Sequence, residues 1–185
     1  MIEWFRSLPL WLDLDGIRVV HACWDQVAIE GLKRYGVGVD ELNDEFFVEA
    51  SDHDSDVYRW VEHVCKGPEV DLPDGHFYED KDGHIRKRAR YRWWDPGNPI
   101  TYRSACVTPP KIVLPDHAIP SKPVEPYTDD IPVLFGHYWH TWSEDSHTPK
   151  AGCIDYSAVK DGTLAAYRWS GERELSPHNL VGVSR

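Results

Sequence analysis

Apolar residues recur at three- and four-residue spacing in the first third of the chain, as they do along one face of a helix. The most regular stretch runs from about 56 to 66, and its apolar face consists of Val57, Trp60, Val61, Val64 and Cys65. Another helix is predicted from Asp25, a favourable N-cap, to about Tyr35. A third is predicted after Asp40, with Leu42, Phe46 and Ala50 aligned. The pattern therefore predicts three helices between residues 25 and 66.

Short runs of apolar residues predict strands near both ends of the chain. Asp15-Gly16 separates the runs 10–14 and 17–21, and this dipeptide favours a two-residue hairpin. Residues 131–135 predict a buried strand, and residues 153–157 and 163–169 predict a second hairpin across Lys160-Asp161-Gly162. The proline-rich stretch 96–132 predicts an irregular surface excursion. The expected fold class is α/β (α+β), with helices early and β-hairpin strands at the C-terminus.

Composition narrows the class of protein. A length of 185 residues suffices for one domain with its own core, and nine tryptophans indicate a large buried surface or a ring-lined groove. The net charge of -11 argues against nucleic-acid binding and against docking on an anionic membrane, and no apolar run is long enough to span a bilayer. The four cysteines are far apart and form no CxxC pair, which predicts reduced thiols in a cytoplasmic protein. The oligomeric state stays open.

Two of the predicted strands end in a histidine. One segment is Val19-Val20-His21, and the other is Phe135-Gly136-His137. Sheet edges at strand ends are where α/β enzymes place their sites, and a glycine lets the backbone turn sharply. Neutral imidazole is a common ligand for zinc, iron, nickel and copper. Side by side, the two strand ends would supply two ligands to one metal ion, whereas either histidine alone is better explained as a hydrogen-bonded core or loop residue.

The ordered set of these segments resembles the last two conserved blocks of the calcineurin-like metallophosphoesterases. This superfamily includes serine/threonine protein phosphatases and bis(5′-nucleosyl)-tetraphosphatases. Its fourth block is a strand that ends in a metal-binding histidine, matched by His21, and its fifth is a strand followed by Gly-His, matched by Gly136-His137. A strand with an aspartate and then a hairpin often follow, as Asp155 and residues 162–167 do here. The resemblance covers both ends of residues 1–185 and implies one domain portion with a variable insertion at about 36–130.

The front motifs of the superfamily are absent from the 185 residues. These motifs are Asp-x-His, Gly-Asp-x-x-Asp-Arg-Gly and Gly-Asn-His-Glu, and they supply most of one metal site, the bridging aspartate and the acid histidine. The resemblance thus implies a C-terminal half that is inactive alone, marginally stable and prone to aggregate through its uncovered sheet. Trp139 stands where many members have a second histidine, so no ligand role passes to His140. The remaining histidines, His63 and His147 among them, are predicted to be surface residues.

The resemblance implies a four-layer αββα sandwich and two divalent metal ions, Mn, Fe or Zn. This chain would hold at most one partial site, through His21 and His137. Asp155 would orient a ligand histidine as a hydrogen-bond acceptor, or would bind backbone at the strand edge. The implied activity is hydrolysis of a phosphoric ester or pyrophosphate, on a phosphoprotein or on a phosphorylated small molecule such as a dinucleoside polyphosphate. The alternative is a catalytically inactive binding or regulatory domain.

A basic run between residues 86 and 92 is the candidate for substrate phosphate. Arg88, Arg90 and Arg92 alternate, so they would share one face of an extended strand and offer bidentate contacts to phosphate oxygens. The alternative is a solvated strand that balances nearby acidic residues. The adjoining aromatic residues would either stack on a nucleobase or belong to the core; they are Tyr91, Trp93 and Trp94.

Overall fold

The computed structural model describes residues 2–38, 42–80, 83–109, 111–140, 142 and 147–184. These ranges contain five α-helices and eleven strands, so the mixed α/β class is confirmed. The helices are α1 (Ile2–Arg6), α2 (Gln26–Tyr35), α3 (Asp44–Glu49), α4 (Asp56–Lys66) and α5 (Tyr102–Ala105). The strands are β1 (Trp11–Leu14), β2 (Ile17–Val20), β3 (Glu69–Asp71), β4 (Tyr78–Glu79), β5 (Ile85–Arg86), β6 (Arg88–Tyr91), β7 (Cys106–Val107), β8 (Val133–Phe135), β9 (Ala151–Cys153), β10 (Thr163–Tyr167) and β11 (Leu180–Ser184). No helix within these ranges has the length and apolar character needed to cross a membrane.

The chain divides into two compact units. The first consists of Met1–Lys66 together with Thr128–Arg185, and the second is Gly67–Tyr127. The predicted insertion at about 36–130 includes the whole second unit, but it also includes α3 and α4, which belong to the first. That the second unit is an insertion into a larger family domain stays a prediction.

A four-stranded sheet, in the order β1-β2-β8-β9, forms the centre of the first unit. The hairpin predicted at Asp15-Gly16 is confirmed, since β1 and β2 pair antiparallel and Leu14 lies opposite Ile17. Strand β8 runs parallel to β2 on one side and to β9 on the other. Every residue of β8 and β9 is buried. Because three neighbouring strands are parallel, their carboxyl ends meet at one edge of the sheet.

Helices α2 and α4 confirm the periodicity of the sequence and pack on each other. The Asp25 side chain caps α2 by accepting hydrogen bonds from two backbone N–H groups, and Gly36 ends the helix with a φ of 108°. Asp40, predicted to cap the third helix, lies outside the described residues. The described helix α3 begins later than predicted, with Asn43 as its N-cap, so Leu42 precedes the helix rather than lying on its face.

The hairpin predicted for residues 153–157 and 163–169 is wrong. Strand β10 instead pairs antiparallel with β11, with Leu164 opposite Val183. Cys153 belongs to β9, which pairs with Phe135 of β8. Only isolated bridges join Thr163 to residues 156 and 157, and a 3-10 turn occupies Ala158–Lys160 where the predicted turn begins.

The second unit holds a three-stranded antiparallel sheet, β3-β6-β7, and a short β4–β5 ribbon. Its core includes the fully buried side chains of Tyr91 and Trp93. Helix α5 and strand β7 lie within the stretch that was predicted to be irregular, and Thr101 caps α5 with a reciprocal capping box. The rest of the described part of that stretch is largely without regular structure, as the proline content indicates.

Candidate metal centre

The two strand-end histidines lie side by side, as the sequence predicts. His21 directly follows β2, and His137 comes two residues after β8, its parallel neighbour. Their imidazole centroids are 5.3 Å apart and the ring planes are inclined by 58°. The Gly136 backbone N–H donates to the His21 carbonyl at 2.9 Å, so the two strand ends are also joined through the main chain. The carboxyl edge of this sheet therefore presents a pair of imidazoles.

The separation of the rings can be compared with metal coordination. An imidazole nitrogen binds Zn²⁺ at about 2.0–2.1 Å, which puts the ring centroid about 3.2 Å from the ion. Two imidazoles at a tetrahedral angle then have centroids about 5.2 Å apart. The observed 5.3 Å is compatible with two ligands of one ion, and it also lies within the roughly 4.5–7 Å of ordinary ring–ring contacts.

Asp155 lies two residues after β9, the third parallel strand, and supports this edge. One carboxylate oxygen accepts the His137 backbone N–H at 3.1 Å, and the other accepts the Ser157 N–H at 3.0 Å. The Asp155 carbonyl accepts the His140 N–H at 2.9 Å. Asp155 thus holds the main chain around His137, which corresponds to the backbone-binding role predicted as one of its two alternatives. A role in orienting an imidazole directly stays a prediction.

Across the described ranges, no group of three or more histidine, cysteine, aspartate or glutamate side chains is arranged to hold a metal ion. That the His21–His137 pair forms part of a metal site stays a prediction. All four cysteines are unpaired with one another. Burial raises the pKa of Cys65 to about 11 and those of Cys106 and Cys153 to about 12, so these thiols are protonated at neutral pH.

The candidate phosphate-binding arginines belong to the second unit. Arg88 and Arg90 lie on β6, where they alternate with buried Ala89 and Tyr91, and Arg92 follows the end of that strand. Arg88 forms ion pairs with Asp71 at 3.2 Å and Glu69 at 3.6 Å on β3, and Arg92 pairs with Asp95 at 3.3 Å. These contacts favour the predicted alternative, in which the basic run balances nearby acidic residues. Binding of substrate phosphate by the three arginines stays a prediction.

The aromatic residues beside these arginines belong to the core. Tyr91, Trp93 and Trp94 are all buried, and the Trp93 ring packs edge-on against Trp94 at 5.9 Å. Buried rings cannot stack on a nucleobase without unfolding their surroundings. Of the two predicted roles, the structure supports the one in the core.

Two histidines predicted to lie on the surface are partly buried. The His63 Nδ1 lies 2.6 Å from an Asp25 carboxylate oxygen. His147 packs over Gly152 of β9 and stacks with Tyr167 at 6.3 Å, and its pKa is lowered by burial and by nearby His140. For His63 a sequence signal exists, because it follows Trp60 by three positions and so borders the apolar face of α4.

Comparison with known proteins finds no match: no family model, no curated protein and no solved structure matches this chain.

Proposed function

We propose that the chain contributes the His21–His137 pair to a metal site of the calcineurin-like metallophosphoesterase type. The observation that carries the proposal is the 5.3 Å separation of two imidazoles at the ends of adjacent parallel strands. The order of the supporting residues along the chain, His21, Gly136-His137 and then Asp155, agrees with the resemblance. In this proposal the sheet β1-β2-β8-β9 is one layer of a four-layer αββα sandwich.

The proposed activity is hydrolysis of a phosphoric ester or pyrophosphate, with a phosphoprotein or a dinucleoside polyphosphate as substrate. When bound, two divalent ions polarise the phosphoryl group and supply a nucleophile at neutral pH. His21 and His137 would bind one of these ions, and Asp155 would fix the turn that presents His137. The other ligands would come from sequence blocks that the 185 residues do not contain. A cytoplasmic location is part of the proposal, since the four cysteines are free thiols, which suits a reducing compartment.

A catalytically inactive binding or regulatory domain is the second candidate. It is favoured by the absence, within the described ranges, of a third side chain that completes the site. Such a domain would bind a divalent ion or a phosphorylated partner without turning it over. The two candidates therefore differ in hydrolysis and agree on metal binding.

The test is calorimetric titration of the chain with Mn²⁺ and Zn²⁺, beside a double variant, His21→Ala with His137→Ala. We expect binding of one ion by the chain and loss of that binding in the double variant. A matched control removes two exposed imidazoles elsewhere, His117→Ala with His178→Ala, and is expected to bind as the unmodified chain does. Equal binding by the His21/His137 variant, or no binding by the unmodified chain, contradicts the proposal.

Hydrolysis of p-nitrophenyl phosphate in the presence of Mn²⁺ is a test of the inactive candidate alone, because both candidates expect no turnover from these 185 residues. We expect metal binding without turnover from this chain. Turnover that the His21/His137 variant loses would show that the chain needs no further ligands, and would contradict the inactive alternative.

A further inference from the structure

The four residues that follow His21 form a completely buried turn. Ala22, Cys23, Trp24 and Asp25 all have exposures of 5% or less. The backbone N–H groups of Ala22 and Cys23 both donate to the Val64 carbonyl on α4, at 2.9 and 3.4 Å. Hydrogen bonds to α4, which is not part of the sheet, therefore hold this turn in place. The turn in turn sets the position of His21.

Asp25 attaches the far end of this turn to the same helix. Its Oδ1 accepts the N–H groups of Val27 at 3.0 Å and Ala28 at 3.2 Å, which starts α2. Its Oδ2 lies 2.6 Å from Nδ1 of His63 on α4. The carboxylate side chain is only 7% exposed and the imidazole 31% exposed. One side chain thus joins the His21 turn, the start of α2 and the last turn of α4.

Asp25 accepts two backbone N–H groups at the start of α2, where the helix dipole also favours a negative charge, so the carboxyl is ionised and the hydrogen bond runs from His63. Burial raises the pKa of this carboxyl, but the hydrogen bond from His63 and those from the α2 backbone outweigh burial and bring the pKa below its usual value. An ionised carboxylate only accepts hydrogen bonds, so His63 Nδ1 carries the hydrogen and donates it. The bond is short and charge-assisted, which is the stronger class of hydrogen bond.

We propose that His63 is a positioning residue for the metal site: by donating to Asp25 it fixes the 22–25 turn and thereby the place of His21 beside His137. This inference rests on the proposed function. His63 acts through Asp25 and the backbone, and it does not itself bind the ion. The requirement is geometric, because two imidazoles share one ion only while their rings keep the separation found here.

The experiment measures Mn²⁺ affinity by calorimetry for the unmodified chain, His63→Leu and His63→Asn. Leucine removes the donor, and we expect it to weaken binding about tenfold or more, as loss of an outer-shell partner does in metal sites. Asparagine carries an amide N–H at nearly the reach of Nδ1, so we expect affinity within a few-fold of the unmodified chain. Circular dichroism at the titration temperature verifies that each variant is folded.

The outcomes separate the two proposals. No binding by the unmodified chain overturns the proposed function, and this inference with it. Binding that His63→Leu leaves unchanged overturns the inference alone. Equal loss in His63→Asn and His63→Leu also overturns it, because the imidazole itself, and not its donated hydrogen bond, would then be required.

A measurement on the unmodified chain covers the case in which His63→Leu does not fold. Nitrogen-15 chemical shifts of the His63 ring report which nitrogen carries the hydrogen. We expect the Nδ1–H form at neutral pH, and strong protection of the Ala22 and Cys23 amides from hydrogen exchange. A ring protonated only at Nε2 would overturn the inference, since no hydrogen would be donated to Asp25.

Discussion

At the scale of single residues, the backbone of His137 is unusual. Its φ is 71° and that of Trp139 is 50°, so both have left-handed conformations that residues other than glycine seldom adopt. Such conformations cost on the order of 1 kcal/mol or more and persist where neighbours enforce them, often at functional sites. The Asp155 carboxylate, bonded to the His137 N–H, is one such neighbour. The strained turn is what directs this imidazole to the edge beside His21.

Asp155→Ala removes both carboxylate acceptors from this turn. We expect a loss of about 1–3 kcal/mol in the free energy of unfolding, because the backbone N–H groups of His137 and Ser157 lose their partners. We also expect weaker Mn²⁺ binding. Urea denaturation and calorimetry measure the two effects. Asp155→Asn, which keeps one acceptor oxygen, should fall between the two proteins, and a stability equal to that of the unmodified chain in Asp155→Ala would contradict this account.

At the scale of elements, helix α2 approaches α4 closely at a glycine. A Cβ added at Gly31 would overlap the ring of Trp60. Gly31 therefore lets the two helices approach, at the usual cost of glycine within a helix.

Gly31→Ala sets these two effects against each other. Alanine gains about 1 kcal/mol in helix propensity, while overpacking against a tryptophan ring costs about 1–3 kcal/mol. We expect a net loss of about 1 kcal/mol in the free energy of unfolding, measured by urea denaturation. Val27→Ala on the same helix, where the side chain is 71% exposed, is the matched control and should change stability by less than about 0.5 kcal/mol. A stabilised Gly31→Ala protein would show that Trp60 moves aside freely.

The connection between β10 and β11 contains a carboxylate with several donors. Glu172 accepts hydrogen bonds from the Ser170 N–H, the Tyr167 hydroxyl and the Asn179 amide, each at 2.8 Å. The Ser170 N–H is the largest cause of a pKa lowered from 4.5 to about 2. Because the folded-state pKa is depressed, the stabilisation is fully present above about pH 4.5 and is lost as the pH falls toward 2.

Glu172→Gln tests this dependence. We expect the stability difference between the unmodified chain and the variant to be largest near neutral pH and to shrink between pH 4.5 and 2. Urea denaturation at a series of pH values measures it. Glu174→Gln, close by in sequence, serves as the control for loss of charge. A stability difference that does not vary with pH would mean that these hydrogen bonds do not lower the pKa of Glu172.

The elements predicted correctly are those whose signals are local. Asp25 and Gly36 bound α2, the apolar stripe defines α4, and Asp15-Gly16 defines the first hairpin. The partner of β10 could not be predicted in this way. A turn signal stands at residues 160–162, but the strand before it was already paired with β8, so β10 pairs with the C-terminal segment instead.

The same distinction holds for the candidate site. His21 and His137 are recognisable because each closes a short apolar run, and the sequence predicts their proximity if the two strands are neighbours. The bond between Asp25 and His63 depends on how α4 docks beside the β2–α2 turn, which no local pattern specifies. For the aromatic residues next to the basic run, the sequence does not distinguish rings that stack on a ligand from rings that belong to the core.

At the scale of the whole molecule, the first unit is interrupted in sequence between Lys66 and Thr128, and contacts within that unit hold the residues on either side of the interruption. The carbonyl of Val64, two residues before Lys66, accepts a hydrogen bond from the Ala22 N–H. Asp129, the residue after Thr128, forms an ion pair with Arg18 at 2.6 Å. Arg18 and Ala22 are four residues apart along one strand and its extension, a span of about 13 Å. A short linker can therefore join Lys66 to Thr128 within the first unit.

Replacing Gly67–Tyr127 with about ten glycine and serine residues tests whether the first unit folds alone. A flexible linker of that length spans about 16–19 Å on average. We expect a cooperative unfolding transition and retention of metal binding by His21 and His137. A non-cooperative transition would show that the first unit needs the second in order to fold. The division of the chain into two compact units predicts the opposite.

We expect the edge strand β1 to promote self-association of the first unit. Its Leu12 and Leu14 are 40% and 49% exposed, and they line an open groove of about 920 Å³ beside α1. An apolar edge strand is a template for pairing with another chain. We expect concentration-dependent association that Leu14→Lys reduces, measured by sedimentation velocity. Val159→Lys, at a 93% exposed position away from the edge, should leave association unchanged.

The parallel pairing of β2 with β8 has a consequence for synthesis of the protein in the cell. Arg18 is paired in register with Val133, and the whole second unit is translated between them. At about 5–20 residues per second, the ribosome needs on the order of ten seconds to make the intervening chain. During that time the β1–β2 hairpin is outside the ribosome without its parallel neighbour. Newly made chains thus expose the unpaired edge of β2 until β8 emerges and extends the sheet.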